Sequence, residues 1–299
     1  MDGLLNIHKT AGVTSHDVVD EVRRVFAQKR VGHAGTLDPM ATGVLIVCLG
    51  RATRIVEYVS NAEKEYRGVL ALGVTTDTLD STGAIVGESD ASGVTLEALK
   101  RAAGTFVGEI EQVPPMVSAV KYQGERLYKL AREGRTVDRA ARKVNVYSID
   151  VGGFRPGARA GADMAVSCSS GTYIRTLCAD IGQALGCGGM MSGLERTRVG
   201  RFALDQAVTI DELRQARGEG CLAGFVISMA DALADMPAVA LDADARDRVL
   251  HGLSVAASER LEPGSTVRMM SAEGELTAIG VVVEEDGSVI VKPRKVLGG

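Results

Sequence analysis

One aspartate in this chain is placed where a reactive carboxylate would be. Asp38 is followed directly by Pro39 in the stretch Gly32 to Gly50, GHAGTLDPMATGVLIVCLG. Pro39 fixes its own φ and biases Asp38 towards extended geometry. Gly35 allows close backbone approach. The Gly/Pro-rich segment Gly32 to Gly43 reads as a loop, and it feeds Val44 to Leu49, an uncharged apolar run that reads as a buried strand. A carboxylate on a tight turn beside a buried strand can be held rigidly enough to react. The same residues also suit ordinary turn chemistry, because Asp before Pro is a common turn pair.

Other chemistries find less support. Asp77 and Asp80 lie close together between Gly73 and Gly83, but no histidine or third carboxylate joins them, so turn chemistry is favoured over a cation site. The five cysteines, Cys48, Cys168, Cys178, Cys187 and Cys221, form no C-x-x-C pair, which points to reduced thiols in the core. There is no G-x-S-x-G, no phosphate-binding G-x-x-x-x-G-K and no H-E-x-x-H. No apolar run is long enough to span a bilayer, and the start lacks a cationic-then-apolar signal, so a cytoplasmic protein is expected. The net charge of −4 does not favour nucleic acid. Local charge does. Between Lys121 and Lys143 eight basic residues (Lys121, Arg126, Lys129, Arg132, Arg135, Arg139, Arg142, Lys143) face three acidic ones. Arg23, Arg24, Lys29 and Arg30 form a second cluster. Each cluster also suits a solvated helix face.

Several stretches together resemble the TruB family of tRNA pseudouridine synthases. G-H-A-G-T-L-D-P-M-A-T-G-V-L is similar to that family's catalytic loop. In the family's order come Lys9 to Ser15 (K-T-A-G-V-T-S), Lys64 to Arg67 (K-E-Y-R), Gly73 to Gly83, Pro115 to Tyr128, Gly171 to Thr176 (G-T-Y-I-R-T) and Leu194 to Val199 (L-E-R-T-R-V). The resemblance covers roughly residues 3 to 215. It implies an isomerase that needs no cofactor or metal and converts the T-loop uridine, position 55, of tRNA to pseudouridine after flipping it out of the RNA. By the same resemblance Asp38 is the nucleophile and Arg175 its ion partner. Tyr66 stacks on the target uracil. His33 fills the space the base vacates, and Tyr173 and Leu194 line the uracil pocket. Asp80 belongs to a shared motif without a firm role. Thr10 stands where the family usually has proline after Lys9, which predicts a looser loop there. The implied partner is the T-arm stem-loop of tRNA, met by a monomer without an obligatory protein partner.

The elements that must position these residues are read from periodicity. Leu4 to His8 suits a strand. Thr14 or Ser15 can cap a helix whose apolar face is Val18, Val19, Val22, Val25 and Phe26, ending near Lys29. Thr53 can cap a short helix to Val59. Glu63 to Gly73 alternates as a strand, with Tyr66, Gly68, Leu70 and Leu72 on one side. Thr95 caps a helix through Ala103. Met116 to Tyr122 is expected as a strand, Gln123-Gly124 as a turn and Glu125 to Glu133 as a helix. Val144 to Phe154 and Met164 to Ser169 read as antiparallel strands. Thr172 to Leu185 is helical, Gly186 to Gly193 flexible, and Ser192 to Arg201 a strand. Asp211 to Arg217 and Asp242 to Leu250 suit helices. Turns at Pro263-Gly264, Glu273-Gly274 and Asp286-Gly287 separate Val-rich segments. The fold implied by the resemblance is α/β (α+β): residues 1–234 as a pseudouridine synthase domain with a mixed, largely antiparallel sheet, and residues 235–299 as a small β-rich module that resembles the family's PUA-like C-terminal domain.

Overall fold

The computed structural model describes residues 1–118, 120–257 and 261–298. In chain order its elements are β1 (Gly3–Lys9), α1 (Ser15–Val25), β2 (Val31–Ala34), β3 (Thr42–Leu49), α2 (Val56–Ser60), β4 (Lys64–Leu72), β5 (Val74–Thr76), β6 (Ile85–Glu88), α3 (Leu96–Gly104), β7 (Gly108–Gln112), β8 (Lys121–Tyr122), β9 (Glu125–Arg126) and α4 (Leu127–Arg132). There follow β10 (Arg142–Arg155), β11 (Gly161–Cys168), α5 (Ile174–Ala184), β12 (Gly189–Val199), β13 (Phe202–Ala203), α6 (Ile210–Glu219), α7 (Met229–Ala232), β14 (Ala238–Ala240), α8 (Ala243–Leu250), β15 (Val255–Ala256), β16 (Thr266–Met270), β17 (Leu276–Glu285) and β18 (Ser288–Val296).

The large sheet runs β1-β3-β12-β4-β11-β10-β7, with β2 also on β3 and β13 on β12. Its pairs are antiparallel except β3 with β12, which is parallel. That one parallel pair brings the start of β3 beside Glu195 and Arg196 of β12. Gly43 makes the approach possible. Its φ is +103°, and a Cβ there would lie 2.2 Å from the Arg196 carbonyl oxygen. Strand β4 carries the expected alternation, with Lys64, Tyr66, Gly68, Leu70 and Leu72 all on the buried side. Helix α1 buries Val18, Val19, Val22 and Val25 and begins with a capping box between Thr14 and Asp17. Helix α5 packs Ile174, Leu177, Cys178 and Ile181 under the sheet.

Six expectations from the sequence need correction. Residues 32–34, expected as the start of the loop, belong to strand β2, because both edges of β3 must be paired. Thr53 does not cap α2; its hydroxyl donates to the Gly50 carbonyl and α2 starts after Ile55. Residues 189–193 are not flexible but open β12, which pairs there with β4. The expected strand from Met116 shrinks to Lys121–Tyr122, with residue 119 outside the described residues. Glu125 and Arg126 return as β9, so α4 begins only at Leu127. Helix α1 also stops at Val25, four residues short of the expected end. No helix among the described residues is long and apolar enough to cross a membrane.

A second sheet, β14-β16-β17-β18-β15, holds the C-terminal strands. Leu276, Ile279 and Leu297 from this part share one apolar cluster with Leu4, Ile46 and Ile55. Arg51 and Arg54 donate to the carbonyls of Leu297 and Val296 at 2.9 and 2.6 Å, and Lys295 meets Glu57 at 2.9 Å.

Candidate active site

The loop between β2 and β3 is pinned on both sides of Asp38. Arg196 of β12 is 1% exposed and donates to the Gly35 and Thr36 carbonyls at 3.2 and 3.4 Å. Ser15, at the start of α1, accepts from the Leu37 amide at 2.9 Å and donates to the Leu37 carbonyl at 3.2 Å. Thr14 is the N-cap, so Ser15 is left for this second task. Lys9 is fully buried and its ammonium donates to the carbonyls of Thr10, Val13 and Pro39 at 3.0, 2.8 and 3.2 Å. The expected looseness at Thr10 is thus answered by Lys9, which ties that loop to the residue after Asp38. Burial pulls the Lys9 ammonium down to about 8.

Arg175 then aims the carboxylate. It lies in the first turn of α5 and is 3% exposed. Its Nε and Nη2 meet the two Asp38 oxygens at 2.9 and 3.0 Å, a bidentate pair. Nη1 donates to the Thr78 carbonyl at 3.1 Å and lies 3.4 Å from Asp80 Oδ2. Nη2 also reaches the Val117 carbonyl at 2.7 Å. One guanidinium therefore joins the Asp38 loop, the 77–80 turn and the segment before β8. Asp80 is buried, and Oδ1 accepts from the Thr78 hydroxyl and the Thr82 amide at 2.8 and 3.0 Å. Its oxygens serve this clamp. Among the described residues no group of three His, Cys, Asp or Glu side chains is arranged to hold a metal ion. Burial pushes the Asp38 carboxyl above its ordinary value, against the pull of Arg175 and with a further push from Asp80. The site is dry enough to make ionisation costly, and Arg175 limits that cost.

A pocket of about 270 Å³ opens beside this pair, lined by Asp38, Tyr66, Tyr173, Arg175 and Leu194 among others. Five of the six residues singled out in the sequence thus meet at one point. Tyr66 forms a buried wall of it on β4, and burial raises its phenol, so it stays neutral. Tyr173 is the N-cap residue of α5. Buried Gln112 holds it there, accepting from its amide at 2.9 Å and donating to its carbonyl at 3.3 Å. The sixth, His33, lies on β2 and faces a larger adjoining cleft of about 1020 Å³. Pocket and cleft share Thr36, Leu37, Asp38 and Ser118. Burial and the nearby Arg196 charge lower the His33 pKa, so its ring is neutral. Arg126, Lys129 and Arg135 line the far side of the same cleft. The side chains of Lys121 and Arg132, also in the basic cluster, lie outside the described set.

Lys9, Gln112, Ser15, Lys64 and Arg196 were not assigned roles from the sequence. For two of them a signal was present. Period-2 alternation places Lys64 on the same buried face as Tyr66, and Arg196 on the same face as Leu194. A cation on a buried strand face is unusual enough to mark a site.

A pocket with a clamped, ionisable carboxylate and a tyrosine wall, opening into a cleft with basic residues, can take a planar base from a polyanion. Comparison with known proteins agrees. The model of the TruB family pseudouridylate synthase N-terminal domain matches residues 23–174, and that of the tRNA pseudouridylate synthase B C-terminal domain matches 175–233. The tRNA pseudouridine synthase B of Symbiobacterium thermophilum is 48% identical over 256 residues, 86% of this chain and 84% of that protein. The protein of the same name from Dehalococcoides mccartyi is 42% identical over 289 residues, 96% and 94% of the two chains. A solved Cbf5-Nop10-Gar1 complex superposes with a TM-score of 0.76 at 29% identity, covering 99% of this chain and 84% of the other. An H/ACA RNP bound to a substrate RNA containing 2′-deoxyuridine gives 0.75 at 28% identity, covering 99% and 85%.

Proposed function

The chain belongs to the TruB family of pseudouridylate synthases, and from that premise we propose that it isomerises the T-loop uridine, position 55, of tRNA to pseudouridine with Asp38 as nucleophile. The reaction breaks the N-glycosidic bond, turns the base and rejoins it through carbon, with no change of oxidation state. The observation that carries this reading is the bidentate Asp38–Arg175 pair at the mouth of a pocket walled by Tyr66. Asp38 can form an adduct with the uracil ring or with the ribose, and both routes need the ionised carboxylate. Tyr66 offers a flat, neutral face on which a flipped uracil stacks, and about 1–3 kcal/mol of stacking offsets much of the cost of extrusion. His33 lines the cleft next to the pocket, and in this reading it fills the space in the RNA loop that the flipped base vacates. In this reading residues 1–234 are the catalytic domain and 235–299 a PUA-like domain, in a cytoplasmic monomer.

The pH dependence follows from the burial of Asp38. Its folded-state pKa is raised, so the active ionised form is present above the raised value and lost as pH falls through it. The acid limb of the single-turnover rate should lie above pH 3.8, the ordinary aspartate value. A limb at or below that value would contradict the dry, clamped site.

RNA is expected to run along the cleft that His33 shares with Arg126, Lys129 and Arg135. Neutralising those three together should weaken tRNA binding and flatten the plot of log K against log salt by about 2 units. An unchanged slope would place the RNA elsewhere.

One solved neighbour is an H/ACA RNP bound to a substrate RNA and another a Cbf5-Nop10-Gar1 complex, and dependence on such partners is the rival reading. The purified chain with a bare T-arm hairpin separates the two. Pseudouridine at the position-55 uridine, made by the chain alone, supports the proposal; product only on addition of protein or RNA partners supports the rival.

A further inference from the structure

The charges around the pocket do not balance. Arg175 is matched by Asp38 and Asp80. Two more cations lie against the same pocket, Lys64 of β4 and Arg196 of β12, 5% and 1% exposed. Among the described residues neither forms an ion pair. Lys64 donates to the Ser60 and Ala62 carbonyls at 2.8 and 2.7 Å. Arg196 donates to the Val44 carbonyl at 2.7 Å besides those of Gly35 and Thr36. The two flank one point of the Asp38 loop. A methyl group on Gly35 would lie 3.7 Å from Arg196 Nη1 and 3.9 Å from Lys64 Cε. Like charges buried side by side without a carboxylate oppose folding. Such an arrangement fits a site that receives negative charge during its work.

We propose that Lys64 and Arg196 stabilise the negative charge that moves onto the uracil as its bond to ribose breaks. The inference rests on the pseudouridine reading above. When the C1′–N1 bond breaks, its electron pair leaves with the base, which becomes anionic over N1, O2 and O4. As the base turns, an electron pair of the base forms the C1′–C5 bond while, on the ribose route, the C1′–O bond to Asp38 breaks and returns its pair to the carboxylate; C5 releases its proton and N1 takes one up. Nothing is oxidised or reduced. Cations fixed on backbone carbonyls before the reaction need no reorganisation when that charge appears. Arg196 also interacts with the Tyr66 phenol and draws its pKa down against burial, so the wall and the floor of the pocket are electrically linked.

Lys64 makes the proposal testable, because burial, then the Arg196 charge, pull its ammonium down to about 8, with Cys168 of β11 opposing. The groups around it are Arg196 from β12, Cys168 from β11, Tyr66 on its own strand, and Asp38 and Arg175 across the pocket. Loss of its proton removes the useful charge, so the rate of bond rearrangement should fall as pH rises through about 8.

The experiment is single-turnover pseudouridine formation on tRNA across pH 6 to 10, with tRNA affinity measured on the same preparations. Lys64→Met is expected to slow the step on the order of 100-fold at neutral pH and to leave tRNA affinity unchanged. Its alkaline limb should be gone. Lys64→Arg, which keeps a charge that does not titrate in this range, should restore part of the rate and move the limb upward. Lys9 is the other lysine drawn to about 8, and a limb that persists unchanged in Lys64→Arg would belong to it and overturn the proposal. A Lys64→Met rate within threefold of wild type would overturn it too, as would parallel loss of rate, affinity and thermal stability, which marks a structural lysine. Should Lys64→Met not fold, the limb in Lys64→Arg decides alone. A wild-type chain that makes no pseudouridine would instead sink the functional reading beneath it.

Discussion

Replacing Asp38 by asparagine is expected to lower single-turnover pseudouridine formation by more than about 10⁴-fold while tRNA affinity stays within a few-fold of wild type. The amide keeps the shape of the carboxylate and can still accept from Arg175, so the pocket should stay open and the cleft unchanged. What it lacks is the anionic oxygen that either adduct requires. The same substitution makes a second, less obvious prediction. The Asp38 pKa is raised in the folded chain, so at neutral pH the ionised carboxylate is less comfortable folded than unfolded. The melting temperature of Asp38→Asn should therefore equal or exceed that of wild type, as expected where activity is kept at some cost in stability. Retained turnover would mean another nucleophile. A markedly lower melting temperature would mean that the carboxylate is a structural anchor first.

Arg175→Met should be the most damaging substitution for the fold. Removing the guanidinium strands Asp38 and buried Asp80 without their cation and leaves the Thr78 and Val117 carbonyls short of a donor. Breaking a buried ion pair from one side costs about 3–5 kcal/mol. Thermal or denaturant unfolding should register a loss of that size. Activity should fall as well, and with a diagnostic shift. Without Arg175, Asp38 is held less firmly in its ionised form, so the acid limb of the rate should move to higher pH than in wild type. Arg175→Lys is not a mild substitute, because one ammonium cannot reproduce two parallel contacts to Asp38 and reach both carbonyls. A stable Arg175→Met chain with an unmoved acid limb would contradict the clamp.

The sequence carried the site further than the fold that surrounds it. Asp38, Tyr66, Tyr173, Arg175 and Leu194 were legible because each sits in a short motif, and the structure brings all of them to one pocket. A cap for α1 at Thr14 or Ser15, the N-cap at Thr95 and the alternation of β4 were legible from local chemistry alone, and the structure settles the first on Thr14. Strand β2 was hidden because Val31–Ala34 is four residues long and carries its glycine and histidine mid-strand. The start of β12 was hidden because its two glycines mimic a loop, yet Gly189 fits where the strand runs against α5, its would-be Cβ 2.9 Å from the Cys178 carbonyl oxygen. Lys9, Lys64 and Arg196 were missed for a general reason. Charged residues are read as surface by default, and only the register of their strands places them inside.

The measurement that tests the central claim most directly is tritium release from C5 of uracil, with tRNA made from C5-labelled uridine and the purified chain without added metal or cofactor. The account predicts one label released per tRNA by wild type, none by Asp38→Asn, and none when the T-loop uridine is replaced by cytidine. No release by wild type, despite tight binding to a correctly folded tRNA, would contradict it and leave an RNA-binding protein or an enzyme missing a partner.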